Sequence, residues 1–112
     1  MNVYTVGQVN SYIKNMFAQD YMLRAITVSG EASNVKYHSK GHLYFTLKDK
    51  SGSISCVMFA GNVAKMKTRF YEGDQIEVTG SISIYEKTGS YQMYAVSVSL
   101  INGNSYRNVI II

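Results

Sequence analysis

The 112-residue sequence predicts a mainly β domain, a five-stranded barrel with a helix in front of it and a short helix between its third and fourth strands. Three observations carry this. From Ile26 onward apolar and polar residues alternate with the period of two that marks half-buried strands. Polar breaks such as Lys50-Ser51-Gly52, Glu72-Gly73-Asp74 and Lys87-Thr88-Gly89-Ser90 divide the alternation into separate runs. Gly30 and Gly80 each interrupt a long run, where a missing side chain lets one strand bend and serve two sides of a closed sheet.

The elements follow in chain order. Thr5-Val6-Gly7-Gln8 is a Thr-x-x-Gln capping box and starts a helix over about 5–19. Val6, Val9, Ile13, Met16 and Phe17 then recur at spacings of three and four, giving an apolar stripe expected to cover one end of the core. Strands are expected near 25–33, 42–49, 53–59, 75–85 and 91–100, with residues 42–59 forming a hairpin. Leu43, Phe45 and Leu47 on the second strand and Ile54, Cys56 and Met58 on the third point inward. On the fifth strand two inward sets fit equally, Tyr91/Met93/Ala95 and Tyr94/Val96/Val98. Val63, Met66 and Phe70 fall at helical spacing and predict the short connecting helix. Long bent strands with a helix between the third and fourth are the outline of an OB-fold. Residues 1–100 make one domain, and 101–112 form a polar tail expected to fray, ending in an apolar Val109–Ile112 that suggests a truncated or altered terminus.

Composition narrows the function classes. With 46% hydrophobic and 16% charged residues the chain is too apolar for disorder, and no segment approaches the roughly 18 continuous apolar residues of a membrane span. A soluble domain with no membrane partner is expected. Met1-Asn2-Val3-Tyr4-Thr5 lacks the basic cluster and apolar run of a secretory signal, which fits a cytoplasmic location. Cys56 is the one cysteine, so no internal disulfide forms, and with two histidines it does not complete a zinc site. No metal and no cofactor are expected.

The charge is unevenly placed. Lys36, Lys40, Lys48, Lys50, Lys65, Lys67 and Arg69 share their segment with one acid, Asp49, so residues 36–69 carry about +6 of a total of +4. Clustered cations gain from releasing phosphate counterions, so this centre fits a polyanion; a solvated face is the plain alternative.

The same period of two that sends Leu43, Phe45 and Leu47 inward sends His42, Tyr44, Thr46 and Lys48 outward, and it places Ser55, Val57 and Phe59 beside them. Bases stack on such aromatics while cations follow the phosphates, and strands two and three are the usual nucleic-acid face of an OB-fold. Tyr44 and Phe59 are the stacking candidates, unless either ring packs beneath the first helix or a loop. The loop of residues 33–42 holds Lys36, Tyr37, His38, Lys40 and His42 and is placed to wrap a polyanion, or else is a bare surface loop. Tyr85, Lys87 and Tyr91 bracket the turn on the opposite rim.

Catalytic constellations are missing. His38 and His42 are four apart but in no HExxH frame, and there is neither a phosphate-cradling glycine loop nor a Gly-x-Ser-x-Gly elbow. Asp20, Asp49 and Asp74 fall at turns, and Cys56 on the inward set reads as a buried thiol. No catalytic residue is assigned.

Four motifs resemble a known family. They are Val28-Ser29-Gly30-Glu31-Ala32-Ser33-Asn34, Gly41-His42-Leu43-Tyr44-Phe45-Thr46-Leu47-Lys48-Asp49, Cys56-Val57-Met58-Phe59, and Glu72-Gly73-Asp74 followed by Tyr85-Glu86 and Gly89-x-Tyr91-Gln92. In this order, from about residue 3 to 100, they are similar to the N-terminal OB domain of the exodeoxyribonuclease VII large subunit. The resemblance implies part of a bacterial enzyme that degrades single-stranded DNA, whose catalytic domain and several small subunits lie outside this chain. It carries DNA holding onto Tyr44, Phe59 and the neighbouring loop bases, and no catalysis. Ala60 stands where the family often has a basic residue, and none is found near Ser55. The expected function is single-stranded DNA binding for a nuclease domain elsewhere; a free-standing DNA or RNA module and a protein-interaction barrel are the alternatives.

Overall fold

The computed structural model describes residues 1–101, so the expected tail of 102–112 lies outside the described residues. Its elements are α1 (Val6–Gln19), α2 (Tyr21–Arg24), β1 (Ile26–Tyr37), β2 (Leu43–Lys48), β3 (Ser53–Met58), α3 (Ala60–Val63), β4 (Gln75–Tyr85) and β5 (Ser90–Leu100). The strands close in the order β1-β2-β3-β5-β4, with β3 and β5 parallel and the other pairs antiparallel. This is the five-stranded OB barrel that the alternating pattern predicts. No described helix is long and apolar enough to cross a membrane.

The inward residues are those the alternation selects. Leu43, Phe45, Leu47, Cys56, Met58, Ile76, Val78, Ile82, Met93 and Ala95 fill the barrel, and each large apolar side chain removed from water contributes about 1.5–3 kcal/mol. Phe70, 1% exposed, closes one end against Phe45, ring centroids 4.9 Å apart. The three aspartates read as turn residues act so: Asp20 caps α2, Asp49 accepts the amides of Ser51 and Gly52, and Asp74 accepts that of Tyr71.

Three expected elements depart from expectation, and the four-residue α2 is one that the sequence analysis lacks. β1 does not end at residue 33 but continues to Tyr37, past a bulge between Ser33 and Lys36. Asn34 there takes a left-handed conformation, φ 52°, and the amides of Asn34 and Val35 go to the Glu72 carboxylate at 3.0 and 3.2 Å. A distant carboxylate thus replaces the ladder bonds whose loss would have ended the strand.

α3 is one turn rather than a helix reaching Phe70. Gly61 and Asn62 are weak helix formers, and the chain tightens at once into three-residue turns, Lys65 N–H to Asn62 and Met66 N–H to Val63. α1 has its capping box, with Thr5 and Gln8 bonded reciprocally, yet it does not cover the core. Only Phe17 packs there, while Val6, Val9 and Met16 are 78%, 45% and 51% exposed. Fourteen residues span about 21 Å, and the earlier turns lean instead on the β4–β5 turn, where Asn10 donates to the Glu86 carbonyl and Lys14 pairs with the Glu86 carboxylate.

Candidate nucleic-acid interface

Closure of the barrel sets one transverse row of cross-strand partners on its outer face. Lys36 of β1 is paired with Tyr44 of β2, Tyr44 with Val57 of β3, and Val57 with Tyr94 of β5. Partners in register share a face, so a cation, a ring, an aliphatic floor and a second ring lie side by side at strand spacing. Tyr44 is 42% exposed, whereas Val57 is only 5% exposed although it points away from the core. The surrounding rings shield it.

Phe59 stands at the end of β3 as the residue before α3 and is half exposed. Its ring lies 6.2 Å from that of Tyr94 at an interplanar angle of 31°, and 5.5 Å from His42, edge-to-face. Gln92 donates to the Tyr94 hydroxyl at 2.9 Å, which holds that ring in place. Tyr44, Val57, Phe59, Tyr85, Gln92 and Tyr94 line a cleft of about 320 Å³. Neither Tyr44 nor Phe59 is covered by the first helix or by a loop.

A second cleft, about 560 Å³, is lined by Lys36, His38, Ser39, Lys40, His42 and Tyr44. Tyr44 lines both, so the two clefts meet at its ring. His38 packs edge-on against Tyr44 with ring centroids 4.8 Å apart. His42 is fixed from behind, its Nδ1 accepting the Ala60 amide at 3.0 Å. One side of the aromatic strip is therefore lined with lysine ammonium groups, and among the described residues no carboxylate lines either cleft. Flat, exposed π-faces beside cations suit stacked bases joined by phosphates.

The structure thus gathers Lys36, His38, Lys40, His42, Tyr44, Phe59 and Tyr85. Thr46 lies one outward step along β2 from Tyr44, paired with Ser33 and Ser55. Lys48 and Tyr91 meet elsewhere, in a cleft of about 290 Å³ against the β2–β3 turn. Lys87 sits exposed in the turn between β4 and β5. Tyr37 turns toward the segment before β4. Its hydroxyl donates to the Phe70 carbonyl at 2.8 Å and accepts the Phe70 amide, and the Arg69 guanidinium lies 4.4 Å over its ring. Burial raises the Tyr37 pKa, so the phenol stays protonated. Cys56 points inward, its thiol pushed up to about 12 by burial.

Tyr94 and Gln92 are the site residues that the sequence reading lacks. β5 pairs Ala95 with Gly80 but Ser97 with Thr79, leaving Val96 as an extra residue. Met93 and Ala95 of the first set face inward before this bulge, although Tyr91 is exposed, and of the second set Val98 alone packs on the core after it. Tyr94 falls in the first half and points outward. The signal was Gly80, since a glycine inside a strand marks such bulges.

Comparison with known proteins agrees with this fold. A family model described as an OB-fold nucleic acid binding domain matches residues 4–99. The chain is 54% identical over 98 residues to the exodeoxyribonuclease 7 large subunit of Lachnoclostridium phytofermentans, covering 88% of this chain and 24% of that protein. It is 50% identical over 90 residues to the subunit of the same name from Clostridium beijerinckii, covering 80% and 23%. The chain spans about a quarter of the length of these relatives. Among solved structures, Entamoeba histolytica asparaginyl-tRNA synthetase in complex with asparaginyl-adenylate aligns with a TM-score of 0.61 at 19% identity, over 76% of this chain and 22% of that one. The S. pombe Stn1-ten1 complex aligns with a TM-score of 0.58 at 21% identity, over 70% and 58%. At these identities the likeness is one of fold. A barrel matched along its whole length, with an aromatic strip beside lysines on its β2–β3 face, belongs to the OB-fold nucleic acid binding domain family, in the form that resembles the one in exodeoxyribonuclease 7 large subunits.

Proposed function

We propose that this domain binds single-stranded DNA with little sequence preference and holds it for a nuclease domain carried by another part of a large subunit. The observation that supports this best is the continuous strip from Lys36 and Lys40 through Tyr44 to Phe59 and Tyr94. Stacking on exposed rings needs unpaired bases, because in a duplex the π-faces are already covered. We assign no catalytic residue to the strip, and the contribution proposed for this chain is capture of the strand. The name of its relatives, and their roughly fourfold greater length, support a place in the large subunit of a nuclease that carries further regions beyond this domain.

Three or four phosphate contacts give an expected log–log salt slope of about −2 to −3, at roughly 0.7 per contact for single strands. The test is fluorescence anisotropy of a labelled oligo-dT strand at two salt concentrations, with duplex DNA of equal length as competitor. Binding that salt weakens and duplex fails to displace supports the proposal. No binding at low salt overturns it for this chain alone, and tighter binding of the matching ribo-oligonucleotide would turn it toward RNA. A protein-interaction role has one observation in its favour, the apolar face that α1 leaves exposed. Sedimentation at two concentrations, with and without the DNA strand, separates the two.

A further inference from the structure

Five cations of the basic centre lie outside the strip, Lys48 and Lys50 at the β2–β3 turn and Lys65, Lys67 and Arg69 in the segment after α3. Arg69 is accounted for by its stacking over Tyr37. Lys65 and Lys67 are exposed, and among the described residues neither forms an ion pair. Both border a groove of about 300 Å³ between the segment after α3 and the second half of β5. Its apolar lining includes Met66 and Val96; Asn62 and Thr68 add neutral polar groups, and among the described residues no carboxylate lines it.

This groove adjoins the aromatic strip along two elements. Phe59 precedes α3 and Asn62 lies within that single turn, so one short segment serves both sites. Tyr94 and Val96 are two residues apart on β5, about 7 Å along a strand, and they too belong to one site each. The β5 bulge falls at Val96 and leaves it 56% exposed, an apolar surface beside the lysines. Such an arrangement suits a base over an aliphatic side chain with its phosphate toward an ammonium.

We propose that the groove is a second subsite for single-stranded nucleic acid, in which the strand passes beyond Phe59 and Tyr94 over Val96 and its next phosphates meet Lys65 and Lys67. The proposal rests on the single-strand reading of the main strip and adds a direction of travel and a longer footprint to it. Charge complementarity and continuity with the strip favour this occupant over an apolar peptide.

The test uses the 112-residue chain with oligo-dT strands of about 4 and about 12 nucleotides, lengths within the range for one OB barrel. K65Q/K67Q is expected to bind the short strand as the wild type does and the long strand roughly 3- to 10-fold more weakly, with a salt slope shallower by about 1.4 for two lost contacts. Lys50→Gln, which removes a charge in the β2–β3 turn, is expected to leave the long-strand advantage intact. The groove is overturned if K65Q/K67Q binds the long strand with wild-type affinity and slope, as it would if a peptide is the occupant. Equal weakening on both strands, or an equal effect of Lys50→Gln, overturns it too, because the lysines then act through the general field. A wild-type chain that binds neither strand overturns the main strip as well, so the two failures are distinct.

Discussion

His42 accepts the backbone amide of Ala60 through Nδ1 at 3.0 Å. This bond ties the start of β2 to the first turn of α3 and sets Phe59, the residue immediately before Ala60, with its ring edge-to-face against the imidazole. The histidine thus acts on the strip by positioning its most exposed ring. His42→Ala leaves the Ala60 amide without its acceptor, and we expect a loss of about 1 kcal/mol, a fall of roughly 4 °C in Tm. Weaker DNA binding should accompany it, and His42→Gln, which restores an acceptor oxygen, should recover part of both. Calorimetry showing an unchanged Tm for His42→Ala would count against the bond.

Removal of a stacking ring should cost affinity without altering charge. Phe59→Ala, Tyr44→Ala and Tyr94→Ala are each expected to weaken oligo-dT binding by about 1–3 kcal/mol, roughly 5- to 150-fold, with the salt slope unchanged. Tyr91→Ala should do less than Tyr94→Ala, since Tyr91 lines the cleft at the β2–β3 turn. Anisotropy titrations rank the four variants. An unaltered affinity removes that residue from the site.

At Gly80 the backbones of β4 and β5 leave no room for a side chain. A Cβ there would fall on the Tyr94 carbonyl oxygen, a backbone atom that no side-chain rotation can move aside. Gly80→Ala is expected to destabilise the domain by about 2 kcal/mol or more and to displace Tyr94, so both Tm and DNA affinity should drop. Retention of both would show that the bulge relaxes freely.

Glu72 supplies a pH dependence with a defined sign. The amides of Asn34 and Val35 donate to its carboxylate and hold its pKa below the ordinary value. A carboxyl depressed in the folded state stabilises fully above its unfolded pKa of about 4.3 and loses that contribution as pH falls through the folded value. Wild type should therefore exceed Glu72→Gln in Tm at neutral pH, and the gap should close as the buffer is taken below the usual carboxylate range. Melting curves across that interval provide the check; a gap independent of pH would contradict it.

Much of this molecule is legible in short stretches of chain. Thr5 and Gln8 announce the start of α1 because both partners of the capping box lie within one turn. Leu43, Phe45 and Leu47 announce β2 and, by alternation, the outward Tyr44. The same local logic misjudged the end of β1, because the acceptor that sustains it past Asn34 is Glu72, on the segment before β4. It also assigned the α1 stripe to the core, although an apolar period records only that a face exists and not that a partner reaches it.

The sequence by itself determined the five strands and the N-terminal helix, the inward faces of β2 and β3, and the basic centre, because periodicity and capping act over a few residues. Tertiary structure decided which outward residues meet, and brought Tyr94 and Gln92 to them. The parallel pairing of Val57 with Tyr94 closes the barrel between residues far apart in the chain, and the Val96 bulge opposite Gly80 shifts β5 by one residue so that Tyr94 faces outward beside Phe59. A one-residue shift in a strand of period two exchanges its faces, and only the packing of the closed sheet selects between them.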